Sequence, residues 1–172
     1  LIFDKEWAQA EAKLAALIQR FPQSPLVTEA LFYQARCLQE QPGKEEKAIT
    51  SYQQFLRRQK RNPSLEEEAE VSIIDLAFVL YKKGKKDYIS LITARLNHPN
   101  KVVQYYAALK LSYVREKKIA RRSLKVLKKI LAEERDEELR DQAKIALLRI
   151  DPESLGEFAR EKPATRTKLL HL

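Results

Sequence analysis

The chain has 172 residues, 44% of them apolar and only three of them glycine; it can build a real core, and it lacks the glycines that a many-stranded β protein or a phosphate-cradling loop would need. Lys and Arg number 33 against 24 Asp and Glu, a net charge of +9, and the excess is local: residues 81–130 hold 15 basic and 2 acidic side chains, residues 1–80 hold 10 and 12, and residues 131–172 hold 8 and 10. Such a block favours anionic partners, whether nucleic acid, acidic protein or an anionic membrane surface.

Apolar residues recur at helical spacing almost throughout. Trp7, Ala10, Leu14, Leu17, Ile18 and Phe21 form a first stripe, stopped by Pro22 and Pro25. Val27, Leu31, Ala35 and Leu38 form a second, ended by Pro42-Gly43. Ala48, Ile49, Tyr52, Phe55 and Leu56 form a third, ended near Pro63, after which Ser64 with Glu67 reads as a capping box. A fourth helix is predicted over residues 65–83, closing at Gly84. Its apolar residues lie on more than one side, so it should sit deep. A short helix carries Ile89, Ile92 and Leu96. Asn100 caps the next, with Val103, Ala107, Leu111 and Val114. Helix seven is predicted over 118–134. Asp136 caps helix eight, with Leu139, Ala143, Ala146, Leu147 and Ile150. Asp151-Pro152 opens a last short helix, Pro163 ends it, and residues 163–172 read as a flexible tail.

Two internal periods organise these helices. At 38 residues, Ala10, Leu14, Leu17 and Ile18 align with Ala48, Tyr52, Phe55 and Leu56. At 36 residues, Asn100, Val103, Ala107, Leu111 and Val114 align with Asp136, Leu139, Ala143, Leu147 and Ile150. The expected fold is therefore all-α: an α-solenoid of antiparallel helical hairpins, each burying its face against its neighbours. Residues 1–21 supply a second helix without its first, and the chain starts at Leu1, so the expectation is a piece of a longer array.

The residues carry two family resemblances. The segment TEALFYQARCLQEQPGKEEKAITSYQQFLRRQKRNP resembles a tetratricopeptide repeat, with Ala35, Ala48, Tyr52 and Phe55 at the family's positions. AQAEAKLAALIQRFPQSP resembles the second helix of a preceding repeat, in a form typical of bacterial cell-envelope proteins; the sequence does not fix the compartment, and the resemblance favours a periplasmic or cell-envelope setting over a cytoplasmic one. DEELRDQAKIALLRI resembles a HEAT repeat, and HPNKVVQYYAALKLSYV does so with Gln104 in place of the usual arginine and Lys110 in place of alanine. The resemblances imply tetratricopeptide-like repeats over 1–63, a transitional hairpin over 64–97, HEAT-like repeats over 98–162, and a right-handed superhelix. They also imply protein or peptide partners.

Catalytic and metal motifs are missing. There is no H-E-x-x-H, G-x-S-x-G, P-loop or dinucleotide fingerprint. His98 and His171 have no second ligand at metal spacing. The single cysteine, Cys37, excludes an intrachain disulfide and reads as a small packed residue. No run of 18 apolar residues exists, so no spanning segment is expected. The expectation is no enzyme, no cofactor and no metal.

Two surfaces are candidates for binding. Carried over from Ala35, the tetratricopeptide resemblance places Glu29, Phe32, Tyr33, Arg36 and Gln39 in a peptide groove, with Phe32 and Tyr33 as anchors and Arg36 orienting the ligand by a charged hydrogen bond. On helix seven, Lys118, Arg121, Arg122, Lys125, Lys128 and Lys129 fall within an arc of about 120° at 100° per residue, opposite Ile119, Ser123, Leu124, Val126, Leu127, Ile130 and Leu131. That face would grip phosphates without base readout. Because helix seven spends its apolar face on the core, it cannot also insert it in lipid. The reading is a non-catalytic adaptor for a protein or peptide, acidic ones included; the alternative is a nucleic-acid-binding solenoid that uses residues 81–130.

Overall fold

The computed structural model describes residues 2–153 and residue 156. Among them every regular element is helical: α1 (Ile2–Arg20), α2 (Val27–Gln39), α3 (Glu45–Arg57), α4 (Pro63–Lys82), α5 (Ile89–Ala94), α6 (Lys101–Leu111), α7 (Lys117–Ala120), α8 (Leu124–Glu133) and α9 (Glu137–Ile150). Short 3-10 turns at Lys86–Tyr88, Arg95–Asn97 and Arg121–Ser123 join some of them. This is the expected α-solenoid class of stacked hairpins. Pro152, Glu153 and Gly156 are helical; the rest of the anticipated closing helix, the tail and His171 lie outside the described residues. The chain forms two compact units, residues 1–91 and 92–172.

In the first unit α2 packs against α1 and α3, and α3 packs against α4. The α2–α3 hairpin closes on small residues, Ala35 and Ala48, both fully buried. Phe32, Tyr52 and Phe55 fill the space beside them, with Phe32 meeting the Tyr52 ring at 5.7 Å and the Phe55 ring at 5.4 Å, both edge-on. The Tyr52 hydroxyl donates to Gln39 Oε1 at 3.0 Å, and burial pushes its pKa up to about 12. By contrast, none of residues 5–20 of α1 is buried: its stripe of Ala10, Leu14, Leu17 and Ile18 stays half-exposed, and Trp7 is exposed.

α4 starts two residues earlier than the Ser64–Glu67 capping box predicts. Asn62 is the N-cap, its side chain accepting from Ser64 N–H at 3.0 Å, and Pro63 occupies the first helical position. Proline lacks the N–H that would be unsatisfied there, and its fixed φ suits the helix, so Asn-Pro outcompetes the serine. α4 ends in a Schellman motif: Lys85 N–H reaches Leu80 O and Gly84 N–H reaches Tyr81 O, each at 3.0 Å. Gly84 sits there at φ +98°, with open space where a Cβ would project. Gly84→Ala should therefore cost about 1 kcal/mol, from backbone conformation rather than collision. Thermal melts of the two proteins check this, and an unchanged melting temperature would contradict it.

The 36-residue period is a structural repeat in the second unit. Asn100 Oδ1 accepts from Val102 N–H at 2.8 Å and Val103 N–H at 3.3 Å, and Asp136 Oδ1 accepts from Leu139 N–H at 3.0 Å. Ala107 and Ala143 are fully buried at equivalent places, as are Leu111 and Leu147. The fourth residue after each cap does the same work with different chemistry. Gln104 Nε2 donates to Leu96 O at 2.8 Å, while Arg140 Nη1 donates to Leu131 O at 2.9 Å and to Glu134 O at 3.0 Å. Each ties down carbonyls that end the preceding helix and would otherwise be unpaired.

Helix seven is not one helix. It is α7, the 3-10 turn Arg121–Ser123 and α8. The Ser123 hydroxyl is buried and donates to Ala120 O at 2.6 Å. Such a local side-chain bond offers the backbone an alternative to the regular ladder.

Candidate functional site

α2 presents two faces set by its 3.6-residue turn. Leu31, Phe32, Ala35 and Leu38 lie inward and are buried. Glu29, Tyr33, Arg36 and Glu40 follow at i, i+4, i+7 and i+11 and are all exposed. The expected groove set is therefore corrected. Phe32 is a core residue with no exposed surface, and it cannot anchor a peptide. It shares a face with Ala35, three residues on, and that face is turned to α3. Gln39 is half-buried and spends its oxygen on Tyr52.

Of the expected set, Glu29, Tyr33 and Arg36 are exposed. Tyr33 is 45% exposed and rests edge-on against Phe32 at 5.3 Å, which backs a surface ring with rigid core. Arg36 pairs with Glu68 of α4 at 3.2 Å, both side chains about half exposed. The stripe thus runs from α2 toward α4, with Glu68 paired to the Arg36 guanidinium and Glu29 and Glu40 exposed on the same face of the α2 segment. Glu40 follows from the helical spacing of the sequence. Glu68, 32 residues along from Arg36, had no local signal.

Beside this hairpin, α1, α2 and α3 enclose an open polar groove of about 530 Å³ lined by Glu11, Gln34, Lys44, Thr50, Ser51 and Gln54 among others. Its inner polar groups are already paired. Gln34 Nε2 donates to Glu11 at 3.1 Å, and the Ser51 hydroxyl lies 3.1 Å from Leu31 O and 3.2 Å from Gln34 Oε1. Cys37 is buried in α2, and burial pushes its thiol pKa up, which suits the packed-residue reading.

The cationic block divides in two. In the first unit its charges are spent locally: Lys83 pairs with Glu45, Lys85 with Glu46 at 2.8 Å, and Lys86 lies over the Tyr81 ring at 4.1 Å. Hydrogen bonds from Lys85 and then Tyr88 hold Glu46 below the usual carboxylate range.

In the second unit Lys118, Arg121, Arg122 and Lys125 are exposed, and Lys128 and Lys129 are half-buried. The 3-10 turn at Arg121–Ser123 interrupts the regular helix on which the arc of these six was predicted. Lys129 is turned toward α6, where Nζ donates to Gln104 Oε1 at 3.1 Å. Arg121 pairs with Asp151 at 2.8 Å. Arg115, Lys117, Lys118, Arg122 and Lys125 are exposed and have no ion pair among the described residues. Nearby, the Tyr105 hydroxyl donates to Glu134 at 2.8 Å; that bond and one from Lys101 hold the Glu134 carboxyl below its usual range, and burial first, then this bond, raises the tyrosine pKa.

Among the described residues no group of three or more His, Cys, Asp or Glu could hold a metal ion. His98 Nδ1 accepts from Asn100 N–H at 3.1 Å, a turn-stabilising role. No described helix is long and apolar enough to cross a membrane.

Comparison with known proteins gives one family. No curated protein and no solved structure matches the chain. A family model for the tetratricopeptide repeat matches residues 29–60, which run from the first turn of α2 past the end of α3. The α2–α3 hairpin is thus a tetratricopeptide-type repeat, a module that in its family generally mediates contact between proteins.

Proposed function

We propose that the chain is a non-catalytic adaptor whose first unit holds a segment of another protein along the exposed stripe of α2. One observation supports this above the others: the hairpin that matches the repeat family exposes a core-backed tyrosine and an arginine on one line, Tyr33 and Arg36. Tyrosine gives contact area at low entropic cost, and a guanidinium gives directed hydrogen bonds. With Glu68 paired to Arg36 and Glu29 and Glu40 exposed along the same face, the stripe suits a segment of mixed or basic charge; an acidic segment would be repelled there. Selection from a random displayed peptide library is the test. Enriched peptides should bind the parent and lose at least about tenfold in affinity with Tyr33→Ala or Arg36→Glu. Peptides indifferent to both changes would remove the proposal.

The five exposed, unpaired cations between Arg115 and Lys125 support a second reading, in which the second unit binds polyanions through phosphates. This unit reads as HEAT-like on its paired caps and on the Gln104 and Arg140 ties, and a bacterial cell-envelope setting is proposed from the LIQRFPQSP resemblance.

A further inference from the structure

The turn between α1 and α2 and the C-terminal end of α3 border an open cavity of about 340 Å³, away from the α2 stripe and the cationic turn. Gln23, Ser24, Thr28, Arg57, Arg58 and Gln59 line it, and no acidic side chain does. Hydrogen-bond donors therefore face it from three segments of chain.

Two of these donors lack acceptors. Arg58 donates from Nη2 to Pro22 O at 3.4 Å, a long bond, while its Nε is buried with no hydrogen-bond partner. A buried donor left unpaired is costly and calls for an explanation, an ordered water or a bound ion among them. Arg57 is exposed and makes no ion pair among the described residues. The start of α2 adds to the site without defining it. No side chain caps this helix. Val27 N–H reaches Ser24 O at 3.1 Å and Ala30 N–H reaches Leu26 O at 2.9 Å, while the Thr28 and Glu29 N–H groups between them have no backbone acceptor. The positive end of a 13-residue helix thus lies at a cavity that already holds two guanidiniums.

We propose that this cavity binds a phosphate group, either inorganic phosphate or the phosphate of a modified peptide. A carboxylate offers two oxygens in one plane. A tetrahedral phosphate offers oxygens in several directions, and here two guanidiniums, two hydroxyls and backbone N–H groups approach from different chain segments. Arginine forks match phosphate oxygens in pairs, and a helix start completes the set. The proposal does not depend on the α2 stripe.

The test is an amide NMR titration of the whole 172-residue protein at constant ionic strength, with inorganic phosphate, a phosphoserine peptide with uncharged flanks, and acetate. Phosphate should give saturable shifts at Ser24, Thr28 and Glu29, and acetate should bind at least about tenfold more weakly. Arg57→Gln should raise the phosphate dissociation constant at least about tenfold with other resonances unmoved, since Arg57 is exposed and carries no packing. Arg121→Gln should change nothing at this cavity. Tighter binding of the phosphopeptide than of free phosphate would assign the site to a modified partner; equal binding would assign it to the free ion. Shifts that never saturate, shifts confined to residues 115–125, or an Arg57→Gln protein that binds like the parent would overturn it.

Discussion

Phe32→Ala should destabilise the protein by about 3–5 kcal/mol, the range for truncating a fully buried phenylalanine. Phe32 has no exposed surface and its ring meets three others, Tyr33, Tyr52 and Phe55, at 5.3 to 5.7 Å. Alanine would remove that surface from the core and leave a hole that neighbouring helices, fixed by Ala35 and Ala48, cannot close. A chain of this length should lose roughly 6–20 °C in melting temperature. Tyr33→Ala, one residue on and half exposed, should cost less than about 1 kcal/mol. Melts followed by circular dichroism compare the two. Equal losses, or a stable Phe32→Ala protein, would mean that α2 is rotated from the position described.

Arg140→Leu should cost about 2–3 kcal/mol, and Gln104→Leu about 1 kcal/mol, although the two residues occupy equivalent places in the 36-residue repeat. The difference follows from charge and number. Arg140 donates to two carbonyls at the end of α8, Leu131 and Glu134, from a side chain that is only 12% exposed. Gln104 donates to one, Leu96. Bonds from a charged donor contribute about 1.5–3 kcal/mol, neutral ones about 0.5–1.5. Removing Arg140 also strands the two carbonyls it covered. Urea unfolding of both variants measures the order, with slopes compared to show that the denatured state is unchanged. A larger loss at Gln104 would contradict the assignment of both residues as ties between helices.

Much of this was legible in the chain. Asn100 and Asp136 are short polar side chains before apolar periodic runs, and both cap as their chemistry requires. Gly84 stands where a helix must turn left-handed. The small residues at the two periods, Ala48, Ala107 and Ala143, are buried because helices approach closely there. What escaped the sequence was decided at longer range or by competition between neighbours. Asn62-Pro63 and Ser64–Glu67 are both valid helix starts, and the Asn62 cap with proline at the first helical position wins the competition. The break at Arg121–Ser123 has no glycine or proline to announce it; the buried Ser123 hydroxyl makes a bond that a periodicity count does not see. The family register was correct at Ala35 but was extended to Phe32 as a groove residue, whereas three residues of helix return to the same, inward face. Charge counting gave the cationic block, but the partners of Lys83 and Lys85 sit on α3, 38 and 39 residues earlier, so part of that charge is already neutralised.

The adaptor reading meets the polyanion reading in one titration. Labelled basic peptide, acidic peptide, DNA and RNA are added to the parent, to Tyr33→Ala, and to a protein with Arg121, Arg122 and Lys125 changed to glutamate, at low and at physiological salt. Binding of the basic peptide should persist at physiological salt, exceed that of the acidic peptide, fall at least about tenfold with Tyr33→Ala, and be indifferent to the triple change. Nucleic-acid binding should appear only at low salt, with a steep salt slope and little sequence preference. Tight binding of DNA or RNA at physiological salt, abolished by the triple change and accompanied by no peptide binding, would contradict the adaptor reading.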